Sequence, residues 1–239
     1  MRLKEKLINW GYQNYFKLAH ALLVRNSTMA GKTCWRGDEV PWLHELEENY
    51  QVVLEETMAF KRHIGRHLDK EDLYPGMTRH HGLDKWEYFH SMVYCQRIEP
   101  VAAHFPKTLA LVKDVLPNAC SVMVSCMPGV TNIPRHEDFK TGTLRVHLGL
   151  KVPDPVNDFL VFDDIKLNWA EGKAFVIDQT RAHAVVKPST EERIVLLVDF
   201  PRPAGRFFEW LNYDMFVKVR GAFEGAALSK RYQRVLEVR

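Results

Sequence analysis

The sequence predicts a mainly β protein: a sandwich or barrel core with helices added at both ends. Three observations carry this. The hydrophobic period is 3.6 through the first third of the chain and changes to 2 after residue 119. The period-2 runs are short and separated by turn signals, as in sandwiches and barrels. After Pro201-Arg202-Pro203 the helical period returns.

The elements follow in order. Leu3, Leu7, Ile8, Tyr15, Leu18, Leu22 and Leu23 recur at three- and four-residue steps and predict a helix. Asn26–Asp38 is polar and contains glycine, so it reads as loop. Pro41 suits a first helical turn, and Trp42, Leu43, Leu46, Tyr50, Val53, Leu54 and Met58 continue that helix. Residues 61–83 are rich in His, Arg, Asp and Gly and read as a long surface loop. Pro106 opens a short helix with Leu109, Val112, Val115 and Leu116 on one face. Val122, Val124 and Cys126 then alternate with Met123, Ser125 and Met127 before the Pro128-Gly129 turn. Leu144, Val146, Leu148 and Leu150 alternate with Arg145, His147, Gly149 and Lys151. Further strands are expected at Phe159–Phe162, Lys173–Asp178, Ala182–Val186 and Arg193–Phe200. Phe207, Phe208, Leu211, Met215 and Val219 mark a closing helix. The expected organisation is a helical extension over 1–85, a β core over 86–203 and a basic helical tail over 204–239.

Composition narrows the function classes. Of 239 residues, 46% are hydrophobic and 26% charged, which excludes a disordered or fibrous chain. A net charge of +3 is too mild for a nucleic-acid partner. Cys34, Cys95, Cys120 and Cys126 form no CxxC pair and no zinc-finger spacing. No signal segment and no membrane-spanning run is evident. A cytoplasmic protein with free thiols is expected.

Chemistry enters through the histidines. On an extended segment, residues i and i+2 share a face, so His-x-Asp presents an imidazole beside a carboxylate. Two such pairs occur, His67/Asp69 and His136/Asp138. About one is expected by chance among eleven histidines and 30 acidic residues, so context decides. His67 lies in the charged loop and has no second histidine in a strand suitably placed downstream. His136 lies between two strands, and His183 and Arg193 follow it in strand-like segments. Two histidines and one carboxylate make a facial triad that leaves coordination positions of a non-haem iron open. In the strand over 144–150, Arg145 and His147 share the face opposite the leucines and valine. Buried together, they call for an anion.

The flanking motifs run in one order: Ser121–Gly129, Ile133–Asp138, Leu144–Leu150, Trp169–Gly172, Phe175–Asp178, His183 and Arg193–Pro201. This order resembles the aspartyl/asparaginyl β-hydroxylase family of 2-oxoglutarate-dependent dioxygenases. The resemblance covers about residues 84–203, with a weaker extension over Pro41–Glu56. The stretch Arg145-x-His147-Leu-Gly-Leu150 is its most specific motif. It implies a double-stranded β-helix, the cupin-like jelly roll. It implies Fe(II) held by His136, Asp138 and His183, with 2-oxoglutarate and O2 as cosubstrates. Arg193 matches the arginine that binds the far carboxylate of 2-oxoglutarate. Ser125, Arg145, His147 and Trp86 match further residues of the cosubstrate pocket. Asp138 stands where some family members have glycine, so the full triad is available and a halogenase is disfavoured.

The substrate implied by the family is the β-carbon of an aspartyl or asparaginyl group, in a peptide or a small molecule. A second reading is 2-hydroxylation of a lipid A acyl chain, since a bacterial branch with that activity also resembles this chain, including its aromatic, basic tail. Members of that branch usually carry membrane segments, which counts against this reading. A third is a catalytically silent, cupin-like metal-binding protein, against which Arg145, His147 and Arg193 speak. The remaining histidines, His80 and His81 included, read as background. The tail reads as a helix face packed on the barrel, and it is also suited to peripheral membrane contact.

Overall fold

Strand alternation separates two cores. The computed structural model describes residues 18, 20–68, 73–74, 86–138, 142–163 and 165–237. The readings placed on Leu3–Tyr15, Asp69, His80 and His81 lie outside these residues. Among the described residues, eleven strands form two antiparallel sheets. They are β1 (Cys34–Trp35), β2 (Glu87–Val93), β3 (Gln96–Arg97), β4 (Ser121–Met127), β5 (Thr131–His136), β6 (Thr143–Lys151), β7 (Phe159–Val161), β8 (Lys166–Asn168), β9 (Ala174–Ile177), β10 (His183–Lys187) and β11 (Arg193–Pro201).

The larger sheet has the order β1-β9-β6-β11-β4-β2-β3, and the smaller has β5-β10-β7-β8. Strands β4 to β11 therefore divide between two facing four-stranded sheets, 9-6-11-4 and 5-10-7-8, changing sheet at every step except β7 to β8. That interleaving is the jelly roll. Strand β1 extends one edge of the larger sheet, and β2 with β3 extends the other.

The central strands are buried on both faces. In β11, Ile194, Leu196, Val198 and Phe200 join a core shared with the helices. Val195 and Leu197 join a second core between the sheets. Strand β6 repeats the division: Leu144, Val146, Leu148 and Leu150 face the helices. Arg145 and His147 face the space between the sheets, as their spacing predicts. Gly149 is required here, because a Cβ at this position would overlap the carbonyl oxygen of Ala170.

The helices cover the outer face of the larger sheet. Helices α1 (Leu43–Glu48) and α2 (Tyr50–Ile64) contribute Leu43, Leu46, Val53 and Phe60 to the first core. Helices α3 (Glu99–Ala102) and α4 (Pro106–Val115) add Val101 and Val112, and both have proline in the first turn. A short α5 (Arg206–Glu209) runs through a π-helical stretch, Trp210–Val217, into α6 (Lys218–Glu237). Residues 20–26 are also helical.

Three expectations are corrected. The loop expected over 61–83 begins later, because α2 continues to Ile64 and Gly65 ends it in the left-handed region at φ 65°. Beyond it, Leu68 and Leu73 are core residues rather than loop surface. His136 does not lie between strands but is the last residue of β5. Pro134 concealed that strand, yet β5 is an edge strand of its sheet, where proline removes no ladder bond that is needed. Strand β2 has no clear alternation, because five of its seven positions, Glu87–Val93, are buried and both faces mix polar with apolar groups.

Candidate active site

The two sheets enclose a cavity of about 330 Å³. All eight residues singled out from the sequence line it: Trp86, Ser125, His136, Asp138, Arg145, His147, Arg193 and His183. They come from five strands and two connecting segments, Trp86 just before β2 and Asp138 just after β5. The antiparallel pairing of β10 with β5 sets His183 opposite His136, and their ring centroids lie 4.4 Å apart. Asp138 follows β5 by two residues, and its N–H donates to the Gln179 carbonyl at 3.1 Å.

One ligand atom from each of His136, Asp138 and His183 can be chosen so that all lie within 4.8 Å of one another. His136 Nε2 is 3.5 Å from Asp138 Oδ1. Each histidine has its Nδ1 beside a backbone carbonyl two residues earlier: His136 to Pro134 at 2.9 Å and His183 to Arg181 at 2.8 Å. A carbonyl only accepts, so each Nδ1 carries the proton and each Nε2 keeps its lone pair for a metal. Burial lowers the pKa of His183, which favours the neutral ligand form. The contact with Asp138 raises that of His136 against the effect of burial. Burial opposes the charge on Asp138, but the Arg145 guanidinium and the His136 contact outweigh it. They hold the carboxyl well below the usual carboxylate range.

Arg145 holds two carboxylates at once. Nη1 donates to Asp138 Oδ2 at 2.7 Å, while Nε and Nη2 donate to Asp199 Oδ1 and Oδ2 at 2.6 and 3.0 Å. The resemblance implied a cosubstrate contact for Arg145. Here its charge is already matched by the neighbouring carboxylates. Asp199 was not singled out from the sequence, although it holds the register position paired with Arg145 in β6.

Arg193 is the opposite case. It is 2% exposed and donates to Met127 Sδ at 2.9 Å. Its guanidinium carbon lies 3.8 Å from the Trp169 ring centroid. Nε and Nη1 have no hydrogen-bond partner among the described residues. Burial pulls its pKa down to about 10, so it remains charged at neutral pH. A buried guanidinium with two unanswered donors fits an anionic ligand. His147 lies alongside: Trp169 Nε1 donates to its Nδ1 at 3.2 Å, and Phe175 stacks on it at 5.2 Å. Its Nε2 is likewise without a partner among the described residues. Burial, reinforced by the Arg145 and Arg193 charges, lowers its pKa well below 6.5, so His147 is neutral and donates from Nε2. Trp86 Nε1 donates to Ser125 Oγ at 2.8 Å, tying two expected pocket residues together.

Several cavity residues were missed. Tyr88 and His90, in β2, follow the expected Trp86 into the cavity at i+2 and i+4. His90, read as background, is 5% exposed and contacts the hydroxyls of Tyr74 and Tyr232. The i, i+2, i+4 aromatic spacing was the available signal. Trp169 also lines the cavity, and nothing in its own surroundings in the sequence distinguishes it from a core tryptophan. His67, the rejected His-x-Asp histidine, lies outside this cavity and approaches Glu87 at 3.2 Å.

The chain is similar to several known proteins. A curated relative, the ornithine lipid ester-linked acyl 2-hydroxylase of Rhizobium tropici, is 27% identical over 90% of this chain and 78% of its own length. Among solved structures, a Pseudomonas putida prolyl-4-hydroxylase is similar at 17% identity, covering 77% of this chain and 99% of its own, with a TM-score of 0.44. An oxidoreductase of the 2OG-Fe(II) oxygenase family from Burkholderia pseudomallei is similar at 15% identity, covering 50% of this chain and 68% of its own, with a TM-score of 0.39. The family profile described as aspartyl/asparaginyl beta-hydroxylase matches residues 47–203, a span that includes every residue of the triad and of the Arg193 pocket. The chain belongs to the aspartyl/asparaginyl beta-hydroxylase family, and it is a hydroxylase by that membership.

Proposed function

We propose that the chain is an Fe(II)- and 2-oxoglutarate-dependent dioxygenase that hydroxylates an unactivated carbon of an acyl lipid. The observation that carries the cofactor reading is the pairing of a three-ligand cluster with a buried, unanswered guanidinium in one cavity. Iron would sit on His136 Nε2, His183 Nε2 and an Asp138 oxygen. The far carboxylate of 2-oxoglutarate would take the free donors of Arg193. With O2, this pair supplies the oxidant: C–H becomes C–OH as 2-oxoglutarate and O2 become succinate and CO2.

The chain's own residues have five tasks. His136 and His183 present fixed Nε2 lone pairs. Arg145 occupies Asp138 Oδ2, which leaves Oδ1 turned toward His136 and the metal position. Arg193, packed on Trp169, anchors the cosubstrate by charge. His147 offers a neutral N–H from its unpartnered Nε2. Met123, Met127, Leu160, Val185 and Leu197 form apolar walls that exclude bulk water.

The sequence alone favours an aspartyl or asparaginyl β-carbon. Two observations move the reading toward an acyl chain. The cavity lining is largely aliphatic and aromatic, and the curated relative is named for acyl 2-hydroxylation. The chain is to be incubated with Fe(II), 2-oxoglutarate and ascorbate, and with either ester-linked acyl lipids or aspartyl peptides. Succinate release with a one-oxygen mass gain on the lipid acyl chain is expected. The same gain on the peptide alone would restore the peptide reading. Absence of both 2-oxoglutarate binding by calorimetry and succinate release would overturn the enzyme reading.

A further inference from the structure

Helix α6 has two faces that differ sharply. Gly221, Gly225, Leu228, Tyr232 and Val235 recur at steps of three and four, and all are buried. A Cβ on Gly221 would overlap the Tyr94 carbonyl, so the glycines let the helix lie directly on the β2–β3 turn. Tyr232 then fixes the helix to β2, with its hydroxyl donating to the Tyr88 carbonyl at 2.6 Å. This inner face is fully engaged.

The opposite stripe is Val219, Phe223, Ala226, Lys230 and Arg234, and every member is exposed. Phe223 is 76% exposed and Val219 is 52% exposed. In the turn that leads into this helix, Phe207 and Trp210 are 64% and 49% exposed, with ring centroids 6.3 Å apart. Solvent exposure of four large apolar side chains along one helical run is costly in a chain that needs no partner there. The charged members of this stripe are the cations Lys230 and Arg234. The acids of the same helix are Glu224, on its flank, and Glu237, one turn beyond Arg234. Arg206 adds a further exposed cation beside Phe207.

We propose that this outer face docks on an anionic lipid surface. Phe207 and Trp210 also border an open cavity of about 550 Å³ together with Arg206, Glu209 and Asp214, whereas Val219 and Phe223 project from the helix face itself. Aromatic side chains followed by cations that no described carboxylate neutralises suit the acyl–headgroup boundary, with the rings inserted and Lys230 and Arg234 at the phosphates. The helix rests on β2, whose Trp86, Tyr88 and His90 line the catalytic cavity, so docking sets the membrane one layer from the site. The surface is argued from exposure and charge and does not depend on the choice of substrate. It would, however, deliver an acyl lipid to the site proposed above.

The test is co-sedimentation of the full chain with phosphatidylethanolamine/phosphatidylglycerol vesicles and with phosphatidylcholine vesicles. Binding to the anionic vesicles that falls as salt rises is expected, with little binding to phosphatidylcholine. The triple variant Phe207→Ser/Trp210→Ser/Phe223→Ser should weaken binding by at least about tenfold. Lys230→Glu/Arg234→Glu should weaken it by a similar factor. Both variants should keep the wild-type melting temperature and 2-oxoglutarate affinity, which separates loss of docking from misfolding. No vesicle binding by the wild type, or binding that both variants retain, would overturn the proposal. So would a wild-type dimer that the triple variant converts to monomer, since the face would then be a self-interface. Any of these results leaves cosubstrate binding intact, so it counts against the surface and not against the hydroxylase.

Discussion

Arg145 bridges Asp138 and Asp199: one Nη1 bond at 2.7 Å to the first and a two-point bond at 2.6 and 3.0 Å to the second. The guanidinium is therefore aimed by Asp199 and in turn aims the carboxylate of the triad. Asp199→Asn should loosen Arg145 without emptying the space. Metal affinity should fall about 10–100-fold, the usual cost of losing an outer partner of a metal ligand. Titration with Fe(II) under anaerobic conditions, or with Mn(II), checks this. An unchanged affinity would reduce Asp199 to an ordinary buried ion-pair partner.

Arg193 bears a charge that the protein itself does not balance. Arg193→Leu should therefore abolish 2-oxoglutarate binding and at the same time stabilise the ligand-free protein by about 2 kcal/mol. Urea unfolding with and without cosubstrate reads both effects. Loss of stability in the ligand-free variant would mean that the arginine is structural.

His183 and His67 should behave differently. His183→Ala should lower metal affinity by more than about a hundredfold and abolish turnover. His67→Ala should leave metal affinity unchanged, since its imidazole approaches Glu87 and lies outside the cavity. Equal effects in the two variants would show that the triad is misassigned.

His147 gives the ligand-free protein an acid-side weakness. Its folded pKa is depressed by burial, so between that value and 6.5 the unfolded chain binds a proton that the folded chain refuses. Stability then rises with pH up to 6.5 and is flat above it for this group. Each pH unit below 6.5 should cost up to about 1.4 kcal/mol, and His147→Gln should remove that share of the slope. Denaturant midpoints at successive pH values measure it. An unaltered slope in the variant would assign the effect to other groups.

Much of the β core was legible because burial on both faces still leaves a two-residue period in side-chain type. In β6 the leucines and valine fall on one side and Arg145 and His147 on the other, so both the strand and its polar face could be read. Strand β2 could not be read this way. Its cavity face is Trp86, Tyr88 and His90 and its opposite face holds Glu87 and Phe89, so neither side is uniformly polar or apolar. The triad and Arg193 were legible from spacing, since each is an unusual side chain within a strand-like segment. Asp199 was not. It lies in an otherwise apolar run, and its role depends on β11 lying beside β6, a pairing between residues 54 positions apart. Leu68 and Leu73 were hidden for a similar reason: single leucines in a charged stretch show no period, and only tertiary packing reveals them as core.

The place of β11 has a consequence for how the chain acquires its site. It is the last strand in sequence, yet it lies in the middle of the larger sheet, hydrogen-bonded to β4 on one side and β6 on the other. Until it is synthesised, β4 and β6 are separate edges with nothing between them. Arg193, and Asp199 behind Arg145, are both missing from the nascent cavity. The order of synthesis thus makes cosubstrate anchoring the final event of assembly, and a chain truncated before residue 193 could gather its two histidines but not close the sheet that holds them.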